Sequence, residues 1–256
     1  MRILLTNDDG IQAPGILALK KELDKIGDVF VIAPERPRSA SGHAITLHKP
    51  LRIPGVILPD GSVGYACSGT PTDCVTLGWE VVLDSRVDLV VSGINAGPNL
   101  GWDVTYSGTV SAAMEGAILG APAIAVSVAG EREPFDFQPA ARFTRQVAEM
   151  VMERGMEAYS LLNINVPAIP ENEIEGVAVT HQGHRQYVDR IDKRTDPFGR
   201  DYYWLCGSIK DEIAVALSDV HAVKQKKISV TPIHLDLTAN HLLSYLETWP
   251  FSVGGA

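Results

Sequence analysis

The chain has 256 residues, 45% of them hydrophobic and 21% charged, which excludes a disordered chain and leaves enough apolar surface for one large core. Its formal net charge of −9 argues against a binder of polymeric nucleic acid, which would carry a basic patch or stripe. No apolar run reaches the roughly 18 residues of a membrane span, so no membrane partner is expected.

Three cysteines without CxxC spacing point to reduced thiols rather than a disulfide framework or a zinc site. Two acids interrupt the opening stretch MRILLTNDDG before any export-signal core develops, and a cytoplasmic protein is expected.

In chain order, Arg2–Thr6 reads as a buried strand and Pro14–Ile26 as a helix with proline in its first turn. Val29–Ala33 is a second strand. The segment 45–66, broken by Pro50, Pro54, Pro59 and Gly61, reads as an inserted β hairpin or rim element. Gly69–Asp73 (GTPTD) resembles an N-cap that starts a helix running toward Val82. Strands are expected at Asp88–Ser92, Ala123–Val128 and Leu161–Val166, with helices at Gly108–Leu119 and Phe137–Arg154.

Short apolar strands alternating with helices predict an α/β fold: a Rossmann-like, three-layer arrangement with a mainly parallel sheet. Ligands in such sheets bind beyond the carboxyl ends of the strands. From about Val177 the alternation fails. Residues 181–232 read as a β-rich excursion, an oligomerisation arm or lid with a turn at Asp196–Gly199, and a β-like segment at Lys227–Pro232 closes it. A terminal helix follows near Thr238–Leu246. The whole chain is expected to form one domain.

The chemistry concentrates in loops that follow strands. Asn7-Asp8-Asp9-Gly10 comes directly after the first strand. Adjacent side chains of an extended chain point to opposite faces, so both carboxylates reach one ion only if the backbone turns, which Gly10 permits. Two carboxylates so close repel and raise one pKa, and a hard cation such as Mg²⁺ or Mn²⁺ relieves that conflict. A solvated acidic turn has the same sequence.

Pro34–His43 and Gly93–Gly101 add Ser39, Ser41, Asn95 and Asn99, neutral oxygens that would complete a hard-cation site. Ser107, Gly108 and Thr109 stand where a helix begins, and free N–H groups there suit an anion; plain N-capping is the simpler alternative. With Asn95 on the preceding segment, they form the candidate phosphate-binding set. The seven histidines show no metal-ligand spacing. The absence of a GxxxxGK[ST] loop and of a GxSxG elbow counts against a P-loop ATPase and an α/β-hydrolase.

Taken together, TNDDG (6–10), RSASGH (38–43), GTPTDCV (69–75), SGINAGPNLG (92–101), YSGTVSAAMEG (106–116) and SVTPIHLDLT (229–238) resemble the SurE family of stationary-phase survival proteins over nearly the whole chain. The resemblance implies a metal-dependent 5′/3′-nucleotidase acting on nucleoside monophosphates, in some members also on polyphosphate. It implies one divalent ion, Mg²⁺ or Mn²⁺, on Asp8, Asp9, Ser39 and Asn95, with Asp8 and Asp9 as catalytic residues. It also implies a phosphate pocket at Ser107, Gly108 and Thr109, and a homodimer or homotetramer built by exchange of a C-terminal arm. Small phosphomonoesters are the expected partners. A metal-independent nucleotide sensor is the alternative from another class, together with a metal-dependent glycosyltransferase whose paired acids would stand later in the chain.

Overall fold

The computed structural model describes residues 1–130, 134–188, 191–211 and 215–253. Its elements run β1 (Arg2–Thr6), α1 (Pro14–Leu23), β2 (Asp28–Pro34), β3 (Gly55–Ile57), β4 (Val63–Cys67), α2 (Pro71–Leu77), β5 (Leu89–Ala96), α3 (Gly108–Ile118), β6 (Ala123–Ala129), α4 (Gln138–Arg154) and β7 (Ser160–Pro167). They continue with β8 (Val177–Val179), β9 (Arg185–Val188), β10 (Ile191–Thr195), β11 (Asp201–Leu205), β12 (Ser208–Asp211), α5 (Asp219–Lys224), β13 (Ile228–His234) and α6 (Asn240–Leu246).

Nine strands form one sheet in the order β3-β4-β2-β1-β5-β6-β7-β13-β8. Its centre, from β4 through β2, β1, β5 and β6 to β7, is parallel. The alternation of side chains along β1 shows why helices cover both faces. Ile3 and Leu5 pack with Ile16 and Leu19 of α1 and Ala141 and Val147 of α4. Leu4, between them, packs on the other face with Val75 of α2 and Val110 and Ala113 of α3. Strands buried on both faces need near-continuous apolar sequence, which RILLT and AIAVSV supply. The three-layer α/β fold expected from the sequence is the fold of the chain.

Several boundaries move. The first helix ends at Leu23 rather than Ile26, closed by Asp24. Segment 45–66 is less an insertion than an extension of the sheet: β3 and β4 form a hairpin, and β4 pairs in parallel with β2. The predicted helix from 69 to 82 starts with a full capping box, Thr70 and Asp73 exchanging hydrogen bonds, but changes to a π-helical turn at Gly78–Val82. β5 does not stop at Ser92. It continues through a register shift to Ala96, so Asn95 sits on an irregular strand end, paired with Ser127, rather than on a free loop. Among the described residues no helix is long and apolar enough to cross a membrane.

Part of the C-terminal excursion rejoins the sheet. β13 pairs antiparallel with β7 and parallel with β8, and α5 buries Val220 and Ala222. What stands apart is two short antiparallel ribbons, β9–β12 and β10–β11, the latter exposing Ile191, Tyr203, Trp204 and Leu205. The turn read at Asp196–Gly199 joins β10 to β11.

One buried carboxylate fastens this returning chain to the loop after β5. Asp219, fully buried, accepts the N–H of Gly101 through Oδ2 at 2.8 Å and that of Gly183 through Oδ1 at 2.8 Å. Removing it leaves buried donors from two distant segments without an acceptor, each costing about 1–3 kcal/mol. Asp219→Ala is therefore expected to lower the thermal midpoint by several degrees, while Asp219→Asn, which keeps one acceptor oxygen, loses less. Unchanged melting of the alanine variant would show that these bonds do not hold the segments together.

Candidate active site

β1 ends at Thr6, and the chain turns at once. Asn7, fully buried, bridges the turn in both directions: its Nδ2 donates to the Gly10 carbonyl at 2.9 Å, and its Oδ1 accepts the Gly10 N–H at 3.1 Å. Gly10 has φ of 99°, a conformation open to glycine at little cost. This side-chain-locked turn is what lets consecutive aspartates serve one place. From the sequence, Gly10 alone is expected to permit the turn; Asn7 is the residue that locks it, and an asparagine three residues before a glycine is a recognisable turn signal.

Asp8 and Asp9 then meet different surroundings. Asp8 is 5% exposed and accepts a short hydrogen bond, 2.5 Å, from Thr109 Oγ1. Burial pushes its carboxyl up from 3.8 to about 6; the Thr109 hydrogen bond opposes the rise, and the charge of Asp9 adds to it. The upward shift expected for one of the pair is present, with burial rather than mutual repulsion as its largest cause. Asp9 is half-buried, and its Oδ2 accepts the Ala96 N–H at 3.0 Å.

The remaining loops are tied to this pair. Arg38 N–H donates to the Asp8 carbonyl at 2.7 Å and Gly42 N–H to the Tyr106 carbonyl at 3.0 Å, which lays the serine loop along the start of α3. His43 anchors the loop's end on Glu115 at 3.0 Å and holds that carboxyl below its ordinary range. Asn95 donates through Nδ2 to the Gly97 carbonyl at 2.8 Å, which assigns Oδ1 as its remaining acceptor.

Asp8, Asp9, Ser39, Asn95 and Ser107 line one cleft of about 630 Å³, bounded also by Asn99, Asp103 and Tyr106. From the C-terminal ribbons, Tyr187 and Cys206 complete the wall. Tyr187 donates to Asp103 Oδ2 at 2.7 Å, beside the Arg185–Asp103 ion pair at 3.0 Å. Asn99 is held from behind by a buried amide and a buried hydroxyl, its N–H donating to Asn165 Oδ1 and its Nδ2 to Ser127 Oγ, both at 2.8 Å.

Gly108 and Thr109 sit one layer behind the cleft wall. A Cβ on Gly108 would lie 2.7 Å from Ser41 Oγ and 2.9 Å from Asp8 Cβ, so only glycine lets α3 begin this close to the carboxylate. Thr109 is fully buried with its hydroxyl committed to Asp8. Its place in the structure is that of a residue that orients Asp8, with Ser107 the member of the trio that faces the cleft.

Ser107 caps α3 by accepting the Val110 N–H at 3.1 Å, which leaves its hydroxyl proton directed elsewhere. Among the described residues no three His, Cys, Asp or Glu side chains converge as a metal cluster. An ion on Asp8 and Asp9 would therefore complete its shell with neutral oxygens such as Ser39 Oγ and Asn95 Oδ1, and with water. All these donors are hard oxygens, and a buried carboxylate short of positive partners fits a divalent cation.

A doubly covered parallel sheet with an acidic, oxygen-lined cleft at the carboxyl ends of β1 and β5 defines a Rossmann-like α/β protein whose candidate site lies at the sheet's open end. The family model described as "Survival protein SurE" matches residues 3–189. The chain is 51% identical over 257 residues to the 5′-nucleotidase SurE of Moorella thermoacetica, covering 98% of each, and 51% identical over 250 residues to that of Heliobacterium modesticaldum, covering 97% of this chain and 92% of the relative. The crystal structure of the SurE protein from Aquifex aeolicus superposes with a TM-score of 0.85 at 43% identity, over 96% of this chain and all of the other. The chain belongs to the SurE family.

The burial of Asp8 has a consequence for stability. Unfolded, its carboxyl titrates near 3.8; folded and without a cation, near 6. The stabilisation from its protonated form is fully present below about pH 4 and is lost as the pH rises through 6. In chelated protein at pH 8 the cost is at most about 3 kcal/mol. Asp8→Asn is therefore expected to melt several degrees above the chelated parent at pH 8, with the gap nearly closed at pH 4. A gap that does not change with pH would show that the parent carries no such burden.

Proposed function

We propose that the chain is a divalent-metal-dependent phosphomonoesterase that hydrolyses nucleoside monophosphates, a 5′/3′-nucleotidase. One observation carries the reading: the buried Asp8 carboxylate and the N-terminus of α3 meet at a single cleft, so a cation's ligands and an anion's donors lie side by side. Relatives at 51% identity carry the name 5′-nucleotidase, which supports nucleotide hydrolysis.

Asp8, Asp9, Ser39 and Asn95 are the proposed holders of one Mg²⁺ or Mn²⁺ per subunit. Such an ion, when bound, polarises a phosphoryl oxygen and makes a water nucleophilic at neutral pH. It also lets an acidic protein accept an anion. Ser107 donates its hydroxyl proton to another phosphoryl oxygen, and the positive end of α3 lies behind it. Donors placed where charge develops are each worth about 10²–10³ in rate. The water oxygen bonds to phosphorus as the phosphorus–ester oxygen bond breaks; a carboxylate oxygen of the aspartate pair receives one proton of the water and returns it to the ester oxygen, which leaves as the alcohol, while the second proton stays on the released phosphate. Thr109 and the Ala96 N–H hold that pair oriented, each bound to one carboxylate. Terminal phosphoryl groups of short polyphosphate meet the same donors and belong to the same proposed substrate range.

We further propose that the β10–β11 ribbon is the arm through which copies of the chain assemble as homodimers or homotetramers. Its exposed aromatic and apolar residues support that role, since they find little cover within the chain.

The test is inorganic phosphate release from a panel of nucleoside 5′- and 3′-monophosphates and short polyphosphate. EDTA is expected to abolish release and added Mg²⁺ or Mn²⁺ to restore it, with Asp8→Asn and Asp9→Asn each lowering kcat by roughly a thousandfold. Full activity after chelation would end the metal mechanism. Tight nucleotide binding without phosphate release would favour a sensor.

For the arm, deletion of 193–206 is expected to reduce the sedimentation coefficient to that of a smaller assembly. An unchanged profile overturns it.

A further inference from the structure

On the far side of Asp9 from the phosphate donors lies a second cavity, of about 470 Å³, that the hydrolytic chemistry does not use. Asp9 and Ala96 line both spaces. The rest of its wall is apolar and stiff: Pro14 at the start of α1, Pro37 from the serine loop, and Pro134, Phe135 and Phe137 from the segment before α4. Phe135 and Phe137 pack edge to face, their centroids 6.2 Å apart at 73°. Phe137 is buried in the main core, and Phe135 is half-buried against it.

We propose that this slot receives the heteroaromatic base of the substrate, with Phe135 as its stacking surface; the inference rests on the nucleotidase reading above. The two cavities differ in the chemistry they offer. The phosphate cleft presents Ser107, Asn99 and the Asp103 carboxylate, which suit phosphoryl oxygens and sugar hydroxyls. The slot presents rings and prolines, which suit a flat, weakly hydrated heterocycle. Because Asp9 divides them, a phosphate held at the aspartate pair leaves its sugar at the rim and its base within reach of the slot. The volume accommodates a purine.

Among the described residues, Asp9 is the one charged or hydrogen-bonding side chain in the slot wall. Among the described residues that line the slot, no amide or hydroxyl side chain reads the Watson–Crick edge, and stacking alone tolerates every base. The chain is thus inferred to discriminate weakly among bases while preferring nucleotides over base-free phosphomonoesters.

The experiment compares adenosine monophosphate with ribose 5-phosphate as substrates, and measures binding of adenosine to the chelated protein by ligand-observed NMR. Phe135→Ala is expected to raise KM for the nucleotide roughly tenfold with little change in kcat. It should leave ribose 5-phosphate turnover unaltered and weaken adenosine binding. Phe135→Leu keeps apolar volume without a ring and should show the same selective loss; Phe135→Tyr should not.

Equal losses on both substrates, or no loss on either, overturn the slot. So does a base-selective loss that appears in Tyr106→Ala instead. If the parent hydrolyses no monophosphate the nucleotidase reading fails, and the adenosine arm still decides the slot: binding that Phe135→Ala weakens upholds it, and no binding, or binding unchanged in that variant, rejects it.

Discussion

The short hydrogen bond from Thr109 to Asp8 joins the two halves of the site and sets the terms for everything around it. It brings the first residue pair after β1 against the first turn of α3, elements separated by a hundred residues of chain. At 5% exposure Asp8 cannot be solvated as a surface acid would be. Its negative charge is carried by a hydroxyl and by the positive end of a helix, and still its carboxyl is pushed to about 6. A carboxylate held in that state suits a cation, so its burial supports the proposed metal site.

Around that contact the architecture works to keep backbone, rather than flexible side chains, in control of geometry. Gly108 admits the helix to within contact of Asp8, Asn7 closes the turn that presents both acids, and an irregular end to β5 delivers Asn95 and the amide that binds Asp9. Each is a strand or helix terminus anchored in a sheet buried on both faces. Sites built on such termini are held more tightly than sites on free loops. The buried amides Asn163 and Asn165 and the carboxylate Asp219 extend the same support to the loop after β5 and to the returning C-terminal chain.

The apolar slot and the polar cleft divide the labour by solvation. Phosphoryl oxygens need donors, and the cleft has them; a base needs area, and the slot offers rings and prolines. Asp9 lines both spaces, so in the proposed arrangement the scissile bond would lie at their boundary, with the base in the slot and the phosphate in the cleft.

Sequence alone settled much of this, because local rules governed it. Short apolar runs alternating with amphipathic segments can be buried only as a two-sided parallel sheet, so the layers and most elements were legible to within a few residues. Polar, glycine-bearing loops after β1, β2 and β5 must gather at the carboxyl end of such a sheet, which brought Asp8, Asp9, Ser39 and Asn95 into one neighbourhood on paper. Roles that depend on depth and direction were decided by the tertiary structure. Thr109 and Ser107 are indistinguishable as hydroxyls at a helix start, yet packing turns one inward to Asp8 and leaves the other at the cleft. Asp219 and Tyr187 gave no periodic or motif signal, since their partners lie tens of residues away in sequence, and Phe135 gave none because the slot it lines is closed by Asp9, Pro14 and Pro37 from distant segments. A pattern in the chain specifies which face a residue takes; how far a carboxylate is removed from water, and what reaches it there, is fixed only when distant segments close around it.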